Sequence, residues 1–183
     1  MDKRFPGRWL QLLLVGIAIA SLMLWLNVAP AAIANRLTVT VNYAKSGHTL
    51  ELLPDLGSEI STTTIRLAAI EAPDRDQNPW GDASRECLSD LENEIIYVEP
   101  VDSSPDAYNR LWAYSWLGSE SINRRSLAEG CAYLTAPDQS QSPQYQSFLY
   151  AQERARLLGL GIWNPMLPLR ETAETFRERS PSP

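Results

Sequence analysis

The chain has 183 residues, of which 44% are hydrophobic and 21% charged, enough for one domain of ordinary size with some chain to spare. Nine Gly, thirteen Pro and two Cys exclude a disordered chain, a collagen-like repeat and a cysteine-rich scaffold. The formal charge is −6, from 16 Lys and Arg against 22 Asp and Glu. By itself this argues against a protein that lives on nucleic acid, because phosphate backbones reward a basic footprint.

At the N-terminus, residues 1–8 carry Lys3, Arg4 and Arg8 against Asp2. Residues 9–26 are then almost continuously apolar, broken by Gln11, Gly16 and Ser21. Ala32-Ile33-Ala34 fits the small-x-small rule of signal peptidase. This order predicts an export signal over residues 1–34, cut after Ala34. Pro30 and the Ala-rich end favour cleavage over an uncleaved membrane anchor made by residues 9–26, a stretch close to the ~20 residues that span a bilayer. The remaining chain, 35–183, holds 13 basic and 21 acidic residues, a charge of −8. Export also sets the redox state, since disulfides persist outside the cytoplasm. Cys87 and Cys131 then form either a disulfide or two buried thiols, because the sequence does not give their separation. Two Cys without a CxxC do not make a four-ligand zinc site.

Beyond residue 35, residues 37–43 alternate with period two and predict a strand, and residues 48–53 predict a second. Residues 54–57 are a turn signal. Residues 62–70 predict a third strand, with Ile65 and Leu67 on one face and Thr64 and Arg66 on the other. Residues 73–79 are polar and loop-like. Residues 80–93 fit a helix with Ala83, Cys87, Leu88 and Leu91 on one side. Residues 95–101 and 110–117 predict two more strands around the loop 102–109. Ser121 can cap a helix that ends near Glu129, with Gly130 as its stop. Residues 145–158 predict a final helix ended by Gly159 and Gly161, after which Ile162 and Trp163 dock on the core. Residues 165–183 are expected to be a mobile tail with a short charged helix around 169–179. The fold class is therefore α+β, five strands with three helices, a pattern that suits a small antiparallel barrel of the OB type. The organisation is 1–34 signal or anchor, 35–164 folded domain and 165–183 tail, expected as a monomer.

Several stretches of the sequence fit one family in the same order. Ser46-Gly47-His48-Thr49 resembles its Asp-Gly-Asp-Thr turn. Residues 65–74, with Arg66, Glu71, Pro73 and Asp74, resemble its Arg-Leu-x-x-(Val/Ile)-Asp-x-Pro-Glu segment. Residues 80–88 are similar to its Gly-x-Glu-Ala helix start. Asp106-Ala107-Tyr108-Asn109-Arg110 and on to Tyr114 resemble Asp-x-Tyr-Gly-Arg-x-x-Ala-Tyr. Residues 122–132 resemble Val-Asn-x-x-Leu-Val-x-x-Gly-x-Ala, and residues 151–163 its closing helix and Trp. On these six pieces the chain is identified as a member of the staphylococcal nuclease-like (thermonuclease) family. The resemblance implies an OB-fold barrel with three helices, hydrolysis of phosphodiester bonds in DNA or RNA, and one Ca²⁺ at the site.

The chemistry follows residue by residue. A planar guanidinium meets two phosphate oxygens at once, and Arg66 and Arg110 stand where the family keeps its phosphate-clamping arginines. Tyr108 matches a tyrosine near the bound phosphate. Glu71 stands where the family has a metal-ligating Asp, and Asp74 where it has the Glu that handles the attacking water. His48 replaces the other metal-ligating Asp, and Ser46 replaces the first Asp of that turn. Histidine prefers borderline metals to Ca²⁺. Two readings stay open: His48 and Glu71 hold Mn²⁺ or Zn²⁺ instead of Ca²⁺, or catalysis is lost and an anion-binding cleft remains. Asn109 replaces a Gly, and Ala107 a Lys found in some members. Trp112, Tyr114 and Trp116 are expected to pack between elements, as is Tyr133. The functional expectation is an exported metal-dependent nuclease; the alternatives are an inactive OB module that binds nucleic acid or another anion, and a purely structural exported domain. The acidic balance predicts weak hold on DNA or RNA.

Overall fold

The computed structural model describes residues 36–54, 60, 62–135 and 144–179. The signal or anchor expected over 1–34 and most of the turn at 54–57 lie outside the described residues. Among the described residues no helix is long and apolar enough to cross a membrane.

Five strands make the body: β1 (Leu37–Ser46), β2 (Thr49–Leu52), β3 (Thr64–Leu67), β5 (Ile95–Pro100) and β6 (Leu111–Leu117). Their order is β3-β2-β1-β5-β6, and β3 returns to pair with β6, so the sheet closes on itself. All pairs are antiparallel except the closing one, in which Ile65, Arg66 and Leu67 run parallel to Leu111, Trp112 and Ala113. Closure removes the free edges that an open five-stranded sheet would leave. The short strand β7 (Glu120–Ser121) extends β6, and β4 (Ile70–Glu71) pairs separately with β8 (Tyr133–Leu134). The barrel interior is filled by the apolar face of each strand, with Val41, Leu50, Ile65, Leu67, Ile96, Val98 and Ala113 fully buried.

Among the described residues four helices surround the barrel, one more than the three expected: α1 (Trp80–Glu86), α2 (Ile122–Ala128), α3 (Tyr145–Leu158) and α4 (Ala173–Arg179). Helix α2 begins where expected, with the Ser121 hydroxyl accepting from the Arg124 N–H at 3.2 Å. Helix α3 matches its predicted bounds and stops at Gly159, whose φ of +64° is the left-handed stop that glycine adopts at little cost. Phe148 of α3 is buried against Tyr114, ring centroids 6.0 Å apart.

Two expectations are corrected. The third strand does not continue to residue 70: Ala68 and Ala69 turn the chain, Ala69 at φ +63°, and β4 starts a separate ribbon. Asn123 holds that turn from inside, its side-chain amide donating to the Ala68 carbonyl and its carbonyl accepting from the Ser115 N–H. The helix predicted over 80–93 ends at Glu86 and is followed by one 3-10 turn, Ser89–Leu91; Leu88 and Leu91 are buried as expected, but Ala83 is exposed and the helix buries Gly81 and Ser84 instead. The stretch from 165 to 179 makes specific contacts with the domain. Leu169 N–H donates to the Ile162 carbonyl at 2.8 Å, Ala173 N–H to the Tyr133 hydroxyl at 2.9 Å, and Ala173 is fully buried.

Cys87, at the end of α1, and Cys131, after α2, are joined in a disulfide with Cα atoms 6.4 Å apart. Beside it the Ser84 hydroxyl donates to the Cys131 carbonyl at 2.6 Å.

Candidate active site

A cleft of about 350 Å³ opens on the barrel wall where β3 meets β6. His48, Arg66 and Glu71 line one wall; Tyr108, Arg110 and Trp112 line the other. Of the six residues named from the sequence for catalysis, substrate and metal, five therefore face one space. Asp74 sits outside the lining and is joined to it through Arg177.

Close packing sets the first wall. Gly47 has Ser84 and Ala72 so near that any Cβ there would overlap both, which lets the β1–β2 turn press onto α1 and the 70–72 segment. Gly81 does the same for α1, whose backbone lies against the Asp74 and Arg75 carbonyls. The turn thereby carries His48 inward, where it is buried and its Nδ1 accepts from the Ala72 N–H at 3.2 Å. Accepting at Nδ1 leaves the ring proton on Nε2. Burial, and then the Arg66, Arg110 and Arg177 guanidinium groups, hold the His48 pKa well below 6.5, so the ring is neutral near pH 7.

Arg66 is almost fully buried, with 2% of its surface exposed. Its Nη2 donates to Glu71 Oε2 at 2.6 Å and its Nη1 to the Leu67 carbonyl at 3.3 Å. Its guanidinium lies 5.0 Å from the centre of the Trp112 ring, within cation–π range. Burial is the main cause that brings its pKa down to about 10, against the opposing pull of Glu71; it remains a cation near neutrality. The expectation that Thr64 and Arg66 point away from the core is met in direction, but all four residues of β3 are buried. Glu71 and Trp112 cover the outer face of that strand.

The second wall is organised by Asp106. One carboxylate oxygen accepts from the N–H groups of Tyr108 and Arg110, and the other from Arg110 Nε and Trp112 Nε1, all at 2.9–3.0 Å. Burial pushes the Asp106 pKa up, but the hydrogen bonds from Arg110, Trp112 and the two backbone N–H groups outweigh it and hold the group well below the ordinary carboxylate range. Arg110 is thus oriented by a carboxylate four residues earlier, while Tyr108 stands 80% exposed at the rim. Asn109 has φ +58°, a left-handed conformation that Gly adopts freely and Asn better than most other residues. That explains why Asn can stand where the family pattern has Gly.

Three participants were missed in the sequence. Asp106 stands in a motif that gives it no role of its own. Gln77 is buried and ties the Asp74 loop to the later chain, accepting from Asp74 N–H at 2.7 Å and donating to the Glu171 carbonyl at 3.2 Å. Arg177 of α4 lines the cleft, with Nη1 at 3.3 Å from Asp74 Oδ2 and 4.0 Å from Glu71 Oε1. Glutamine in a polar loop and arginine in a charged helix carry no signal at sequence level. Trp112, expected as packing, lies between the two site arginines and lines the cleft. Tyr133, also expected as packing, pairs with Glu71 across the β4–β8 ribbon and accepts from α4 through its hydroxyl.

The residues present do not fit the expected metal. A neutral imidazole offers one lone pair, and His48 spends it on the Ala72 amide. Glu71 is bound to Arg66, and Asp74 to Arg177. Among the described residues the cleft brings together no three His, Cys, Asp or Glu ligand atoms at bonding reach; Cys87, Glu129 and Cys131 do approach within 4.8 Å elsewhere, but the two sulfurs are bonded to each other.

Residues 64–165 match the model of the family described as staphylococcal nuclease homologue. The chain belongs to the staphylococcal nuclease family. Membership places it among phosphodiester hydrolases, on the barrel and arginine pair described above. Among its relatives is an "Uncharacterized endonuclease" of Haemophilus influenzae, 32% identical over 158 residues that cover 83% of this chain and 82% of that protein. A "Probable endonuclease LCL3" of Vanderwaltozyma polyspora is 30% identical over 119 residues, covering 57% of this chain and 41% of that protein.

Proposed function

We propose that this family member is an exported nuclease that hydrolyses phosphodiester bonds of DNA or RNA with few basic contacts. The observation that carries the reading is the convergence of Arg66 and Arg110 on one cleft with Tyr108 at its rim. Arg110, one quarter exposed, offers its outer edge to a phosphate oxygen. Arg66 sits deeper as a fixed positive charge, where the excluded water strengthens its field on the developing charge of the phosphorus centre. Asp74, outside the cleft lining and tied to it through Arg177, is the proposed acceptor of a proton from the attacking water. The donor set at the cleft does not fit the family's divalent cation, so the charge on the phosphate falls to the arginines. Export is supported by the N-terminal pattern of the sequence and by the Cys87–Cys131 disulfide, which a reducing cytoplasm would not keep.

A second reading has a specific observation behind it. Glu71 and Asp74 are both held by arginines, an arrangement that suits a cleft that binds a phosphodiester without cleaving it. One assay separates the two. The full-length chain is incubated with single-stranded DNA and RNA in chelator and with Ca²⁺, Mg²⁺, Mn²⁺ or Zn²⁺ in turn. Cleavage in any condition that Arg110→Ala lowers by about 100-fold or more supports the nuclease. Binding with no cleavage in every condition supports the inactive module.

A further inference from the structure

The cleft has a charge problem that the barrel alone does not solve. Arg66 is paired with Glu71 and Arg110 with Asp106, and Asp74 adds a carboxylate beside the cleft, two cations against three anions, within a chain whose formal charge is already −6. An incoming phosphodiester adds another negative charge. Like-charge repulsion between that phosphate and the carboxylates opposes binding, and more strongly in a shielded cleft than in bulk water. His48 is neutral and does not help.

Arg177 changes the balance. Its Nη1 sits between the two carboxylates of the first wall, 3.3 Å from Asp74 and 4.0 Å from Glu71. It lines the cleft and its side chain stays half exposed. Helix α4 is not placed there by this ion pair alone. Ala173 is buried and donates to Tyr133, the Glu171 carbonyl accepts from Gln77, and the Glu171 carboxylate accepts from Arg179 at 2.6 Å. These contacts leave Arg177 lining an open cleft rather than filling it.

We propose that Arg177 is a third phosphate-binding arginine of the site, supplied by the segment after the family domain, and that it provides the positive charge the cleft needs to accept a nucleic-acid phosphate. The assignment deepens the nuclease reading and rests on it for the substrate class. It concerns binding, so it can fail while cleavage stands, and stand while cleavage fails.

The test measures binding of a short fluorescein-labelled single-stranded oligodeoxynucleotide to the full-length chain in chelator across a salt series, with cleavage assayed beside it. Arg177→Ala is expected to weaken binding about tenfold at low salt and to flatten the salt dependence by about 0.7 in the slope of log K against log salt, the loss of one phosphate contact to a single strand. A merely structural arginine would not change that slope. Arg177→Lys keeps the cation and is expected to restore the slope and most of the affinity, which separates lost charge from lost fold. Where cleavage is measurable, KM rises more than kcat falls. Unchanged affinity and slope in Arg177→Ala, tighter binding in that variant, or no oligonucleotide binding by the wild type at low salt each overturns the assignment. Wild-type cleavage with binding that ignores Arg177 leaves the nuclease reading intact; Arg177-dependent binding without cleavage removes the nuclease reading and keeps the assignment.

Discussion

The two walls of the cleft are built by different means. The wall that carries Arg110 is local: Asp106 gathers Tyr108, Arg110 and Trp112, all within six residues of it. The wall that carries Arg66 is assembled from distant chain. His48 reaches Ala72 across 24 positions, Gln77 reaches Glu171 across 94, and Asp74 reaches Arg177 across 103. The first wall therefore depends on a single carboxylate, and the second on the packing of the whole domain. Damage to the first should be sharp and confined to the site; damage to the second should be shared with stability.

The largest expected effect falls on the assembled wall. The disulfide closes a loop across 44 positions, from the end of α1 to the start of the segment that leads into β8. Replacing both Cys87 and Cys131 by Ser should cost about 3 kcal/mol of unfolding free energy, the usual range for such a cross-link. Denaturant melts check the size, and amide exchange checks the place: protection should fall at 47–50 and 70–84 before it falls at 106–112. Equal loss over both walls would erase the distinction between them.

The next effect should be confined to the local wall. Asp106→Asn keeps an oxygen for the two backbone N–H groups but removes the charge that orients Arg110 and Trp112. A fall of about 100-fold in kcat/KM, or about 2.7 kcal/mol, is expected, with the melting transition shifted by little. A variant that lost stability in proportion to activity would show that Asp106 supports the fold rather than the site.

The smallest effect concerns pH. His48 is neutral in the folded protein and, once unfolded, returns to a pKa near 6.5. As pH falls below that value the unfolded chain takes up a proton that the folded one refuses, so stability drops as the solution is acidified. His48→Asn keeps an acceptor for the Ala72 N–H and removes the titration. The variant should show a flatter stability profile between roughly pH 6.5 and 5. Parallel profiles for the two proteins would place the proton on His48 in the folded state and contradict the hydrogen bond drawn from Ala72.

The same division explains what the sequence disclosed. Period-two strands, the Ser121 cap and the Gly159 stop are local signals, and each appeared near its predicted position. So did Tyr108 and Arg110, which share one short motif with Asp106. Arg66, Glu71 and His48 were legible through resemblance, yet their partners were not. That Glu71 answers to Arg66, or that His48 spends its lone pair on an amide, depends on turns at Gly47 and Ala69 whose tight packing no residue pattern announces. Arg177 was least visible of all, since its role exists only after α4 has been folded back over Tyr133 and Gln77.

The parallel pair that closes the barrel has a consequence for motion. Arg66 and Trp112 face each other across β3 and β6, so the cation–π contact at the floor of the cleft is part of the barrel's last seam. Strands that are neighbours in sequence cannot form it; β1, β2 and β5 must already stand in place. Breathing of that seam, a non-local pairing of the kind that forms slowly on topological grounds, would separate the buried guanidinium from its ring and unmake the floor. The site and the seal of the barrel are then one cooperative unit, and a molecule whose barrel has begun to open has no partly working cleft to offer.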